Sequence, residues 1–428
     1  MQTFFRSSRA LSLLTLFTVG CGSREPAETA LLARGAAARL RPGVTGISLP
    51  TAPARDAVAL SRALGAPPGV LHTPPETTPP ADPPTPTDCH DGLAVVVPSS
   101  DWLRVLSFAG GYDSWAATYE STDASGEEGT YFVAFDAQGR PFEAPRPVPA
   151  GTRVASFRYE FLLVGASVTE PFLAVLDARG REESRVTDPA IWGTELEPET
   201  RVVEVFAAPS RCVYEARVLV GSESGRSLLA VHRGSAGELV TERILDLEPV
   251  PVGSSSVLGV SPTEVLELVT PEWPGSTPLA RVYGPSTDGW TLRREVQTWA
   301  DGTHRPVAAA RTWSGWSVLG TASSPGVPSE LVQLADDGTT SAPIAVADYE
   351  RCGSGLGSIA SSGETTLFAI GRRIGGLHYG TLTAGEDALL PSSLVAHQGS
   401  GELAAVGVGP EGVSVRCYRA DALRAPAP

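Results

Sequence analysis

The sequence predicts an all-β chain, a β-propeller of seven four-stranded blades preceded by a signal peptide and a Pro-rich linker. Three observations carry that expectation. A hairpin pattern recurs along the chain, with turn glycines 41 to 57 residues apart. The 45 glycines and 37 prolines break the sequence into short runs, which suits short strands better than long helices. Apolar residues make up 42% and charged residues 19%, enough to build a core. The expected organisation is a signal peptide at 1–20, a lipid-anchored Ala/Pro-rich linker at 21–88 and the propeller at 89–428.

The amino terminus reads as an export signal. "MQTFFRSSR" carries Arg6 and Arg9, and the apolar run Ala10 to Gly20 comes next. That run is too short for a bilayer span, which needs ~20 apolar residues. A basic start, a short apolar segment and small residues before a cut site make a secretory signal. "TVGC", Thr18 to Cys21, resembles the bacterial lipobox, with Thr18 in place of the usual leucine. The resemblance implies that Cys21 becomes the lipidated first residue of the mature protein. Gly22 stands after it rather than Asp, which by resemblance to Gram-negative lipoproteins implies the outer membrane.

The linker differs in composition from the repeated part of the chain. "AETALLARGAAARLR" and "APARDAVALSRALGA" suit short helices, with Ala57, Leu60 and Leu64 on one helical face. "HTPPETTPPADPPTPTD" then loses backbone donors to proline, which predicts an extended spacer.

From Cys89 onward one plan repeats: apolar alternation, a polar turn with glycine, and a second apolar run. It is seen in "TYFVAFDAQGRPFEAPRPV", "PFLAVLDARGREESRV", "SLLAVHRGSAGELVTERIL", "LARVYGPSTDGWTLRREV", "ELVQLADDGTTSAPIAV" and, more weakly, "LHYGTLTAGEDALLPSSLV". The expected turn glycines are Gly139, Gly180, Gly237, Gly289, Gly338 and Gly385. Further apolar pairs lie upstream, as in "RPVAAARTWSGWSVLGT" with Gly315 in its turn. Four short strands over about 50 residues is the plan of a propeller blade. Six units are counted. "GELAAVGVGPEGVSVRCYRAD" supplies two strands of a seventh, and Gly92–Ser100 closes it from the other end of the chain. Six or eight blades are the alternatives. A pair of β-sandwiches, repeating at roughly 100 residues, fits the spacing less well. In Tyr131–Phe135, residues 131, 133 and 135 are expected to face one neighbouring blade, and 132 and 134 the other.

As pattern rather than motif, residues 90 to 425 resemble repeats of secreted bacterial β-propellers. No WD dipeptide occurs. "AGGYDSW" and "IGGLHYG" hold the double glycine of kelch repeats without the downstream aromatic spacing.

Cys89, Cys212, Cys352 and Cys417 remain after lipidation, an even number in an exported chain. Cys89 opens the first strand and Cys417 lies in the last, neighbours in a closed ring. A Cys89–Cys417 clasp is therefore expected, worth ~2–4 kcal/mol through the unfolded chain. Cys212 and Cys352 form the remaining pair or stay as buried thiols.

The search for chemistry returns little. The histidines are His72, His90, His232, His304, His378 and His397, and none forms an H-x-x-x-H or H-E-x-x-H pair. "DCHDG" reads as a polar loop. "DGTHRP" places Asp301, His304 and Arg305 in an inter-blade loop. "GSESG" has glutamate where a nucleophile elbow has serine. Trp115, Trp290, Trp313 and Trp316 are expected to pack between blades. Trp299 and Trp273, in loop-like contexts, are candidate exposed contacts, with His304 beside them.

No lysine occurs, so all 33 basic residues are arginine, and the formal net charge is −15. Without basic runs, nucleic acid and anionic membrane surfaces are poor partners. The reading is a monomeric, non-enzymatic envelope lipoprotein, tethered at Cys21, whose propeller binds a protein or glycan without a cofactor. The alternative is a propeller enzyme, a polysaccharide lyase or hydrolase with its site in the central channel.

Overall fold

The computed structural model describes residues 103–418 apart from short stretches, the longest of them 208–214 and 348–356. The signal peptide, the linker, the strand expected at 92–100, Cys21, Cys89, Cys212, Cys352, Trp273 and Asp301 lie outside the described residues.

The described chain folds into seven antiparallel sheets in sequence order. Blade one holds β1 (Leu103–Gly110), β2 (Ser114–Thr122), β3 (Glu128–Asp136) and β4 (Arg146–Val148). Blade two holds β5 (Arg153–Phe157), β6 (Glu160–Val164), β7 (Leu173–Leu176) and β8 (Glu182–Val186). A single 3-10 turn, Pro189–Trp192, leads to blade three, with β9 (Arg201–Ala207), β10 (Glu215–Gly221), β11 (Arg226–Arg233) and β12 (Leu239–Leu247). Blade four has β13 (Ser255–Val260), β14 (Val265–Thr270), β15 (Leu279–Ser286) and β16 (Gly289–Gln297). Blade five has β17 (His304–Arg311), β18 (Gly315–Ala322), β19 (Ser329–Ala335) and β20 (Ile344–Ala347). Blade six has β21 (Gly357–Ser362), β22 (Thr365–Ile370), β23 (Arg373–His378) and β24 (Thr381–Asp387). Blade seven has β25 (Leu394–His397), β26 (Leu403–Gly409) and β27 (Gly412–Tyr418) among the described residues.

The molecule is a seven-bladed β-propeller. First strands of neighbouring blades touch, as in β1–β5, β5–β9, β17–β21 and, closing the ring, β25–β1. The first strand of each blade is therefore innermost, lining the central channel. Because strands alternate in direction, the turns after first and third strands share one end of the ring, the turn end. The loops after second strands and the blade-to-blade connections share the other, the connection end.

Each blade buries both faces, so no single blade has a core of its own. Seven buried clusters lie one at each interface between blades. On β3, Val133 and Phe135, with Tyr131 beside them, pack against Ala404, Val406 and Val415 of blade seven. Phe132 and Ala134 face Phe161, Leu163 and Ala174 of blade two. Period-two alternation with both registers apolar is the physical signature of such a strand.

The repeated hairpin has one mechanism. Asp136 Oδ1 accepts from the Gln138 and Arg140 amides, both at 2.9 Å, and Gly139 takes φ 77°. One repeat later Asp177 Oδ1 accepts from Arg179 and Arg181 at 2.9 and 2.8 Å, and Gly180 takes φ 81°. The aspartate closes the turn, and glycine accepts the left-handed backbone after it.

Two boundaries differ from expectation. Gly385 lies within β24, because β23 ends at His378 and pairs with β24 from Thr381 onward, with His378 opposite Thr381. Leu394–His397 begins blade seven rather than ending blade six.

Candidate functional site

Of the residues singled out by sequence, His304 and Trp299 lie at the connection end, inside the protein. His304 opens β17 and is 2% exposed. Its Nε2 lies 2.9 Å from the Pro328 carbonyl oxygen, which can only accept, so Nε2 carries the proton. Nδ1 lies 2.9 Å from the Thr303 hydroxyl. Both ring nitrogens are occupied within the fold. Trp299 stacks on this ring at 5.6 Å and donates from Nε1 to Glu330 at 3.1 Å. It too is 2% exposed, seated against Gly320, where a Cβ would stand 2.7 Å from the indole. Trp299 and His304 are thus an interior brace and not a contact surface, in contrast to the sequence expectation. Trp299, two residues after β16, meets blade five at Gly320 and Glu330.

The innermost strands carry charged groups, Arg153 on β5 and Glu204 on β9. Glu204 on β9 is solvent-exposed. The protein crowded around it raises its carboxyl above the ordinary value, against the pull of Arg153 on β5. Arg153 donates to the Leu106 carbonyl at 3.1 Å, and burial holds its guanidinium below the ordinary value. Arg104 and Glu120 pair at 2.7 Å across β1 and β2. Glu215, Glu267 and Asp337 acquire different partners: Arg217 on the same strand, Arg226 across a blade interface, and Thr339 in its own turn. Among the described residues no group of three His, Cys, Asp or Glu is placed to hold a metal ion.

The turn end carries the exposed aromatics. Tyr112, Phe142, Tyr159 and Trp313 are the exposed large aromatic side chains among the described residues. All four sit in turns after first or third strands. Tyr112 of blade one and Tyr159 of blade two meet edge to face at 5.3 Å. Arg158 lies over the Tyr159 ring at 4.6 Å. It has φ 64°, the one positive-φ residue other than glycine among those described. A side chain held there costs about 1–3 kcal/mol, the kind of strain that collects at binding sites. Trp313 in the first turn of blade five is 78% exposed, resting beside Gly363 of blade six. Linear sequence assigns Trp313 to packing and gives no weight to Tyr112 or Tyr159. One signal is present: the Ser314–Gly315 pair after Trp313 marks a turn.

No family model matches the chain, and no curated protein matches it. Solved propellers resemble it distantly. The WD40 domain of SCAP from fission yeast is 10% identical with a TM-score of 0.39, over 73% of this chain and 81% of that one. The β-propeller domain of the Trilobed protease from Pyrococcus furiosus is 9% identical with a TM-score of 0.43, over 74% and 96%. TolB from Acinetobacter baumannii is 10% identical with a TM-score of 0.36, over 74% and 79%. At these values the likenesses bear on neither substrate nor partner.

Proposed function

We propose that this chain is a non-enzymatic envelope lipoprotein whose propeller binds a protein or glycan through its turn end. The observation that carries the reading is that Tyr112, Tyr159, Phe142 and Trp313 are all exposed at that one end, with Tyr112 and Tyr159 in contact. Exposed aromatics offer large contact area at low side-chain entropy, and they dominate binding surfaces. The anchor belongs to the same proposal: Cys21 in "TVGC" carries the lipid, and residues 22–88 hold the ring away from the outer membrane. So does the clasp, in which Cys89 joins Cys417 and residues 92–100 complete blade seven. Its support is the place of Cys417 on β27, the outermost described strand of that blade, and its disulfide-bonded sulfur. Which cysteine it joins is part of the proposal.

The second reading, a propeller enzyme acting on polysaccharide, is supported by Glu204 beside Arg153. A carboxyl raised above its ordinary value suits general acid–base work. One experiment separates the two. Full-length protein is used to capture partners from solubilised envelopes, in parallel with the variant Tyr112→Ala/Tyr159→Ala/Trp313→Ala. The binding reading expects a specific partner or glycan retained by the natural sequence, with retention at least tenfold weaker in the variant. Polysaccharide turnover that Glu204→Gln abolishes would overturn it.

A further inference from the structure

Between blades three and four, toward the turn end, lies a cleft of about 420 Å³. That is within the ~300–1,000 Å³ range of small-molecule sites. Its walls come from β10, β11 and β12 on one side and from β15 and β16 on the other. The side of β10 that faces blade four explains its chemistry. Leu219 on that side joins the apolar interface with Leu258 and Val265. Two and four residues earlier the same row reads Arg217 and Glu215, so the interface turns from apolar to charged.

Arg217 is 5% exposed and lines the cleft. Its guanidinium pairs with Glu215 at 2.5 Å and lies 5.4 Å from the Trp290 ring. Its Nε is buried without a hydrogen-bond partner among the described residues. Buried donors are ordinarily satisfied, and this one, on a residue that lines the cleft, has no acceptor among the described residues. Charges of both signs line the cleft, Arg217 and Arg243 with Glu215 and Glu242, and Arg243 also pairs with Asp246 at 3.4 Å. A carboxylate or phosphate ligand would meet two carboxylates already there. A ligand with adjacent hydroxyls can accept from Arg217 and donate to Glu215 and Glu242 together. Trp290 adds an aromatic wall, and His232 a further polar ring.

We propose that this cleft is a binding site for a neutral sugar, held by Arg217, Glu215 and Glu242 against Trp290. The inference rests on the reading of the propeller as a binding module, but it uses none of the turn aromatics. It names a second site, smaller and more polar than the turn face.

The test uses full-length protein and ligand-observed saturation-transfer NMR. The probes are the methyl glycosides of glucose, galactose, mannose and N-acetylglucosamine, with glucuronate and inorganic phosphate as charged comparisons. Expected is saturable binding of at least one neutral glycoside, weakened at least tenfold in Arg217→Met and in Trp290→Ala. Glu242→Gln, at an exposed position, should weaken it severalfold without touching the fold. The Tyr112→Ala/Tyr159→Ala/Trp313→Ala variant should bind the glycoside as before, which keeps this site distinct from the turn face. No saturable binding by any neutral glycoside would overturn the proposal. So would tighter binding of glucuronate or phosphate, or binding unchanged by Glu242→Gln and Trp290→Ala.

Discussion

Trp316→Ala is expected to lower the stability of the propeller by about 3–5 kcal/mol, the range for emptying a buried aromatic site. Trp316 is fully buried at the start of β18, in the interface between blades four and five. It packs into a recess left by Gly259, where a Cβ would stand 2.7 Å from the indole. Its Nε1 donates to Glu264 at 3.2 Å, and Arg311 lies 5.7 Å from its ring. Alanine leaves a cavity bounded by two rigid sheets, which cannot collapse without moving a blade. Trp316→Phe keeps most of the packing and loses only the N–H, so its cost should be clearly smaller. Chemical denaturation of both variants provides the check. A loss below about 1 kcal/mol in Trp316→Ala would mean that this interface contributes little to holding the ring together.

Glu267→Ala is the second large effect. Glu267 on β14 is a buried carboxylate, with the Arg226 guanidinium of blade three at 2.6 Å and the Tyr283 hydroxyl at 3.1 Å. Arg281 lies 3.9 Å away and also pairs with Glu295 at 2.8 Å. Burial, and then the nearby Glu267 charge, push the Tyr283 hydroxyl up to about 12. The pair crosses from one blade to the next, so its loss loosens an interface as well as removing a contact. Removing one partner of a buried ion pair leaves the other charge desolvated and costs about 3–5 kcal/mol. Glu267→Gln keeps an acceptor for Arg226 and should lose less. If Glu267→Ala unfolds at the same denaturant concentration as the natural sequence, Arg226 has found water, and the interface is wetter than its contacts imply.

The architecture was legible because it is written in short-range chemistry. Asp136 with Gly139, and Asp177 with Gly180, announce their turns within a few residues. The alternation on β3 announces burial on both sides. Gly385 misled because the preceding "HYGT" holds a glycine of its own, and β23 is already paired with β24 there. The tryptophans show what linear order leaves out. Trp313 and Trp316 are three residues apart in "TWSGW", yet one is 78% exposed and the other fully buried. The register decides between them, since Trp316 is opposite Arg311 within the β17–β18 pair and Trp313 lies beyond its end. Trp299 looked exposed because the sequence around it reads as loop, and its recess at Gly320 exists only in three dimensions. Arg226 and Glu267 are 41 residues apart, about one blade, and only the packing of blade three on blade four brings them together. The turn face has the same origin: Tyr112, Tyr159 and Trp313 come from three blades and share one end by topology alone.

The central claim is that this turn end is where the protein meets its partner. A photo-cross-linking benzoylphenylalanine placed at position 313 in intact cells tests it most directly, with the same residue at position 223 as comparison. Glu223 is exposed in the loop after β10, at the opposite end of the ring. Discrete cross-linked adducts are predicted from position 313 and none from 223. Adducts from position 223 alone, or equal yields from both, would contradict the assignment of the binding face.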